Sequence, residues 1–446
     1  MAFFLPFSGH ALTSQTTRNA IQGSAPYLTF DGGRTRVVDT SGLLGITLSD
    51  GTQYTPSTNP SYSSRPIVLP GEGQSFADIG MLVPTDTNSV DLSSLIGPPN
   101  NYWGDDDGDS GVTATGSLSL SIVDKSGQSV SRSTVLEICK APYKVTLSST
   151  DGTLSTRYGV PNSRAFHNGY TTYYINPKAA PIVCFAVSYS SSNNGTRPSS
   201  MWDPRNGFIP QSTDPSSYGR NFPTTGLNGL YFDLLISGSS QPLSWSPVSQ
   251  GGITVTMSNS TATSVRVTLT GPYATKSQQN SSSPDGLPSL SLPQTFELVG
   301  RDTNGTPVVK YGFTLKQWFV NRGNKQDTYP NTLSWCNSIG YRVPKVKDLT
   351  NASCQPGYQE DWCRGSVGAT PSSDGNFFQR YIGAGFSSEW GSMHVYSGAG
   401  FEYNQYYRTS DPYSDDGRYM YLVGPSLGDV LRNYATSTSY GICVYP

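Results

Sequence analysis

Apolar and polar residues alternate in short bursts along most of this chain. Leu118, Leu120 and Ile122 are separated by serines, and a turn follows at 124–127. A second burst, Val145 and Leu147, runs on to Asp151-Gly152, a hairpin dipeptide. Ile253, Val255 and Met257 alternate, Asn259 and Ser260 break the run, and Val265, Val267 and Leu269 alternate again. That pattern predicts two antiparallel strands with one buried face. Phe296 to Val299 leads through Asn304-Gly305 into Val308–Val320, a further hairpin. Short strands at this spacing, with no helical period, predict one or two Ig-like β-sandwiches.

Two regions break the pattern. Residues 26–110 are rich in Gly, Pro, Ser and Thr and predict a loop-rich β region. The stretch 275–293 predicts a long exposed loop. From residue 328 the period changes: Pro330 suits a first helical turn, and Leu333, Cys336 and Ile339 recur at three-residue steps. Gly340 follows as the stop. A second short helix is expected at 345–350, with Val346 and Leu349 on one side. The segment 390–413 crowds Trp390, Tyr396, Phe401, Tyr403, Tyr406, Tyr407 and Tyr413 among Gly and Ser. Roughly half of these rings are expected in the core. The exposed ones, with nearby Arg418, are the candidate contact residues, because Tyr, Trp and Arg carry binding energy well.

Charge and length narrow the class. With 446 residues the chain is expected to hold two to four domains. Charged residues are only 13%, and 29 basic side chains face 31 acidic ones, which disfavours nucleic acid and anionic lipid as partners. Aromatic residues at 12% argue against disorder. No apolar run is long enough for a membrane-spanning helix. Residues 1–25 read as a possible signal remnant or an ordinary N-terminal tail. Six cysteines, Cys139, Cys184, Cys336, Cys354, Cys363 and Cys443, show no metal-ligand spacing and favour disulfides in an oxidising compartment. Their connectivity is open on spacing alone.

Chemistry-bearing motifs weigh against catalysis. Gly108-Asp109-Ser110-Gly111 resembles a serine-protease nucleophile segment, yet the only upstream histidine is His10. Gly424-Pro425-Ser426-Leu427-Gly428 matches a nucleophile elbow whose base should follow it, and no histidine does; a β-turn is the expected structure. His10, His167 and His394 are far apart in sequence. Asp105, Asp107 and Asp109 offer alternate carboxylates for a calcium loop, although an EF-hand would need glutamate where Gly116 stands. A solvated acidic turn is the simpler expectation, and no cofactor is implied. Asp411, Asp415 and Asp416 invite the same two readings.

The residues Trp335-Cys336, Gly340-Tyr341-Arg342-Val343-Pro344 and Lys347-Asp348-Leu349 resemble the opening of bacterial C-type-lectin-like domains. Arg408-Thr409-Ser410-Asp411 and Gly441-Ile442-Cys443-Val444 match its closing elements. Upstream, the stretches 116–125, 141–147, 157–161 and 309–313 are similar to the adhesion module of intimin/invasin-type bacterial surface proteins, the invasin E adhesion-domain family. The resemblance implies pairings Cys336–Cys443, Cys354–Cys363 and Cys139–Cys184, the first closing a loop worth ~4–5 kcal/mol. It implies a mainly β chain divided as loop-rich β region (26–110), Ig-like sandwich region (111–311) and α+β C-type-lectin-like domain (312–446). It also implies display beyond the outer membrane and contact with a host-cell protein or glycan. The β-barrel and tandem repeats that precede the module in that family are missing, so a piece of a longer protein or a barrel-less exported paralogue is expected, possible partners including a β-barrel translocator. A free secreted lectin-like exoprotein is the alternative. An enzyme of the formylglycine-generating type fits less well, since the tip cysteines are assigned to disulfides. The calcium-and-sugar triplets of animal lectins do not occur, so "lectin-like" describes shape alone.

Overall fold

The computed structural model describes residues 23–188, 200–357, 360–403 and 405–446. The possible signal remnant therefore lies almost wholly outside the described residues, as does His10. Two compact units emerge, Met1–Ala179 and Ala180–Pro446.

In the first unit five strands make one sheet: β1 (Ile67–Glu72), β2 (Ser89–Asp91), β3 (Ser117–Val123), β4 (Tyr143–Ser149) and β5 (Gly169–Lys178), in the order β1-β5-β4-β3-β2. Leu118, Leu120 and Ile122 bury alongside Val145 and Leu147, as their alternation requires, with Leu120 opposite Leu147. The expected division at 110/111 does not appear: β1 and β2, from the loop-rich region, pair with β5 and β3 from beyond it. Buried Arg132 ties the loops down by donating to the carbonyls of Val83, Phe76 and Ile79.

The second unit opens with a sandwich. Its seven-stranded sheet has at its centre β6 (Ile182–Ser188), β7 (Tyr231–Ser237), β8 (Ile253–Ser258) and β9 (Ser264–Thr270), ordered β6-β7-β9-β8. Val255 sits opposite Leu269 in the expected hairpin. A three-stranded sheet, Ser244–Trp245 with β10 (Gln294–Arg301) and β11 (Pro307–Leu315), supplies the second layer. The β10–β11 turn is held by Asp302, whose carboxylate accepts from the N–H groups of Asn304 and Thr306, and Gly305 takes φ +80°. The apolar run Val308–Val320 is two strands rather than one. It breaks at Lys316, and β12 (Gln317–Asp327) crosses into the next sheet. The expected long loop at 275–293 also carries a short helix, Lys276–Asn280, whose Gln278 carbonyl accepts the Trp335 indole N–H.

The terminal part is α+β. The helix α1 (Tyr329–Ser338) follows the predicted limits, with Pro330 in its first turn and Gly340 at φ +84° beyond its end. Then come α2 (Val346–Leu349), α3 (Glu360–Cys363) and α4 (Phe386–Trp390). Strands β13 (Tyr407–Pro412), β14 (Tyr419–Val423), β15 (Val430–Tyr434) and β16 (Ser439–Tyr445) complete it. The six-stranded sheet runs Thr225–Leu227, β12, β16, β13, β14, β15. Its first strand belongs to the sandwich segment and pairs parallel to β12. The expected boundary at 311/312 thus falls inside β11, and one apolar core runs without a break from Val183 to Val444.

Asp348, from the lectin-like opening, fixes α2 to β12. Its carboxylate accepts from Arg342 at 2.6 Å, Gln317 at 2.9 Å and the Lys345 N–H at 2.7 Å. Burial alone would raise its pKa, but these three donors outweigh it and hold the carboxyl below its usual value. A depressed carboxyl contributes stability that is present above its unfolded pKa and lost as pH falls through the folded one. Asp348→Asn is therefore expected to cost about 1–3 kcal/mol at pH 7. Denaturant titrations should show the difference shrinking below about pH 4; a constant difference across that range would refute this role.

Candidate functional site

The contact residues read from the sequence divide sharply. Trp390, Tyr396, Phe401 and Tyr407 are buried, Tyr406 and Tyr413 are partly covered, and Tyr403 stands 66% exposed. Trp390 lies at the join of sandwich and lectin-like part, 5.0 Å from Phe222 and 6.2 Å from Phe232 by ring centroid. Its indole N–H donates to the Thr225 carbonyl, and Tyr231 meets Tyr396 edge-on. These rings are structural. Arg418 is exposed and paired to Asp416.

Beside Trp390 lies Glu389, fully buried and unmarked by any sequence signal. Its Oε1 accepts from the Thr224 N–H, the Thr224 hydroxyl and the Gly383 N–H, each at 2.9 Å. Its Oε2 accepts from the Thr225 N–H at 2.9 Å and the Thr225 hydroxyl at 2.6 Å. Burial pushes its pKa up, and the five donors work in the other direction. A sandwich segment and α4 are thereby clamped across 165 residues of sequence.

Two disulfides close the terminal part. Cys336–Cys443 ties α1 to β16 over 107 residues, and Cys354–Cys363 staples a loop over nine. Cys139 and Cys184 are also disulfide-bonded.

An exposed ledge forms on the edge hairpin β14–β15. Tyr419 faces Tyr434 across the strands with ring centroids 4.3 Å apart, and Tyr434 is 50% exposed. The Arg432 guanidinium lies 4.5 Å from the Tyr413 ring and 4.9 Å from that of Tyr419. The Tyr413 hydroxyl donates to the Asp361 carbonyl on α3, which packs against β15 and carries exposed Trp362. Of this ledge the sequence reading named only Tyr413 and the neighbouring Arg418. Tyr419, Arg432 and Tyr434 needed the strand register, although folding the chain back at 424–428 already suggests it.

The turn at 424–428 closes on itself through Gly428 N–H to the Gly424 carbonyl. His394, which precedes Ser426 in sequence, approaches its hydroxyl at 3.4 Å through Nδ1. His394 packs edge-on against Tyr403, and no carboxylate among the described residues pairs with it, so the pair lacks the orienting third member of a triad. Asp105, Asp107 and Asp109 do converge, with oxygens within 4.8 Å of one another. Within that loop Asp105 accepts the backbone N–H groups of Asp107 and Asp109, and Asp107 accepts from Ser24, as an acidic turn would. Asp411 accepts the Val346 N–H, and Asp416 is engaged by Ser414 and Arg418. No helix among the described residues is long and apolar enough to cross a membrane.

No protein-family model matches the chain, and no curated protein is found similar to it. Solved structures are. Invasin, a bacterial integrin-binding protein, is 13% identical with a TM-score of 0.36 over 76% of this chain and 52% of its own, so the chain spans about half of that structure. A C-terminal 282-residue fragment of intimin, solved with the intimin-binding domain of the translocated intimin receptor, is 11% identical with a TM-score of 0.33. That match covers 75% of this chain and 93% of the fragment. Intimin-190 from enteropathogenic E. coli is 14% identical, with a TM-score of 0.27 over 50% of this chain and 90% of its own. In its mainly β architecture the chain is similar to these structures of invasin and intimin.

Proposed function

We propose that the protein is an adhesive module that binds a receptor on a host-cell surface through its C-terminal lectin-like part, without catalysing a reaction. The observation that carries this reading is the ledge of Tyr413, Tyr419, Arg432 and Tyr434, with Trp362 beside it. Tyrosine rings packed on one another around a guanidinium lose little side-chain entropy on binding. Such residues supply the anchors of protein interfaces. The neighbouring structures support a protein receptor, since one intimin fragment was solved with its receptor domain and invasin binds integrin. Display beyond an outer membrane, through a β-barrel translocator, belongs to the same reading; secretion of a free lectin-like exoprotein is its alternative.

The test uses the whole chain, because the terminal part borrows Thr225–Leu227 from the sandwich and holds it through Glu389. Tyr434→Ala and Trp362→Ala, both at exposed positions, are expected to leave the melting temperature in place. Each is expected to weaken binding to host cells by about tenfold or more, the 1–2 kcal/mol of an interface anchor. Unchanged cell binding by the double variant would overturn the reading.

A further inference from the structure

Elsewhere in this unit a carboxylate taken out of water is met by a cation or by backbone donors. Asp348 has Arg342, Asp327 has Arg322 at 3.3 Å, Asp233 has Arg266 at 2.9 Å, and Glu389 has its five donors. Asp429 is treated differently. One donor reaches it from elsewhere in the chain, the Tyr406 hydroxyl at 2.6 Å, and no lysine or arginine among the described residues pairs with it. Burial pushes its pKa up, as expected for a charge left uncompensated.

This carboxylate faces a pocket of about 220 Å³ that also takes His394, Tyr403, Tyr406 and Ser426 into its lining. The pocket is built on fixed backbone. Gly424 N–H donates to the Asp429 carbonyl at 2.9 Å, Met393 N–H to that of Pro425 at 2.8 Å, and the Ser392 hydroxyl to that of Ser426 at 2.6 Å. Position 424 has no room for a side chain, because a Cβ there would lie 2.3 Å from the Asp429 carboxylate.

We propose that this pocket receives one cationic side chain, lysine or arginine, presented by a protein partner. The carboxylate supplies the charge-assisted bond, and the tyrosine rings supply the faces over which a cation sits. Its size decides the source. Sites that enclose a whole small molecule run to roughly 300–1,000 Å³; this one holds a single head group and leaves the rest of its bearer outside. Pairing would also remove the cost of the lone carboxylate, which gives the cation an advantage over a neutral group of equal size. The proposal leans on the adhesive reading only for who presents the side chain.

Saturation-transfer NMR on the full chain tests it, with N-acetyl-arginine amide and N-acetyl-lysine amide as probes and N-acetyl-glutamine amide and a methyl hexoside as neutral controls. The cationic probes are expected to bind and to weaken as salt rises from ~0.05 M to ~0.5 M. Asp429→Asn keeps an acceptor for Tyr406, so it is expected to fold with unchanged or higher stability and to bind the probes at least about tenfold more weakly. Should that variant fail to fold, Tyr403→Ala, an exposed ring, is expected to weaken the probes several-fold. Equal binding of glutamine amide or hexoside, or undiminished binding by the variant, overturns the proposal. If no cation binds while Tyr434-dependent cell binding persists, the pocket proposal falls alone. If cations bind and the chain captures no cells, the adhesive reading falls and the pocket stands.

Discussion

Replacing Glu389 by alanine is expected to lower the unfolding free energy of the second unit by about 3–5 kcal/mol. The substitution strips three backbone N–H groups and two hydroxyls of their acceptors in a place water does not reach. Each buried donor left without a partner costs roughly 1–3 kcal/mol, offset in part where a threonine hydroxyl turns to another acceptor. Glu389→Gln isolates the charge pattern from the volume. Glutamine keeps the shape but places an NH₂ group where one oxygen now accepts, so N–H meets N–H, and about 2–3 kcal/mol is expected. Chemical denaturation followed by intrinsic tryptophan fluorescence reads both. A glutamine variant as stable as the parent would show that the five bonds do not hold the two halves together.

Removing the Cys336–Cys443 bridge by a double alanine substitution is the second large effect. On the chain-entropy relation a loop of 107 residues is worth about 5 kcal/mol, while the nine-residue loop of Cys354–Cys363 is worth about 2.5 kcal/mol. The ordering is the prediction. The long bridge joins the first helix of the lectin-like part to its last strand, and both sulfurs are buried in the shared core. Cys363 is buried as well, so a packing cost attends either substitution and loop length sets the difference. Thermal melts of the two double variants, each compared with the parent under the same conditions, decide it; equal losses would refute the loop-length argument.

What the sequence made legible was local. The alternations at 118–122, 253–269 and 296–313 became strands in the expected pairings, and the three-residue steps at 333–339 became α1 with its proline and glycine in place. Everything that depended on distant pairing was hidden. No local pattern says that Ile67–Glu72 runs beside Gly169–Lys178, so the boundary drawn at 110/111 cut a sheet. The separated motifs at 335–349 and 408–444 do meet in one α+β part, but its first strand comes from residue 225, far outside them. At 390–413 aromatic density alone could not tell Trp390, which packs on Phe222, from Tyr403, which faces water. Glu389 looked like an ordinary polar residue because its partners lie 165 positions away. The order of serine and histidine along the chain speaks against the elbow at 424–428; the fold brings His394 near Ser426 regardless, without making a triad.

The strand Thr225–Leu227 has a consequence for how the molecule is made. Synthesis delivers residues in order, so the sandwich segment waits for β12, then for Glu389, and finally for β16. The terminal sheet is therefore assembled on a template completed long before its own last strand emerges. Contacts of such long range are slow to form, because closure entropy is spent before they reward it. Until then Cys336 has no proper partner, while Cys354 and Cys363 arrive earlier and lie nearer. The natural order of events favours the short bridge first, which removes two competitors before Cys443 appears.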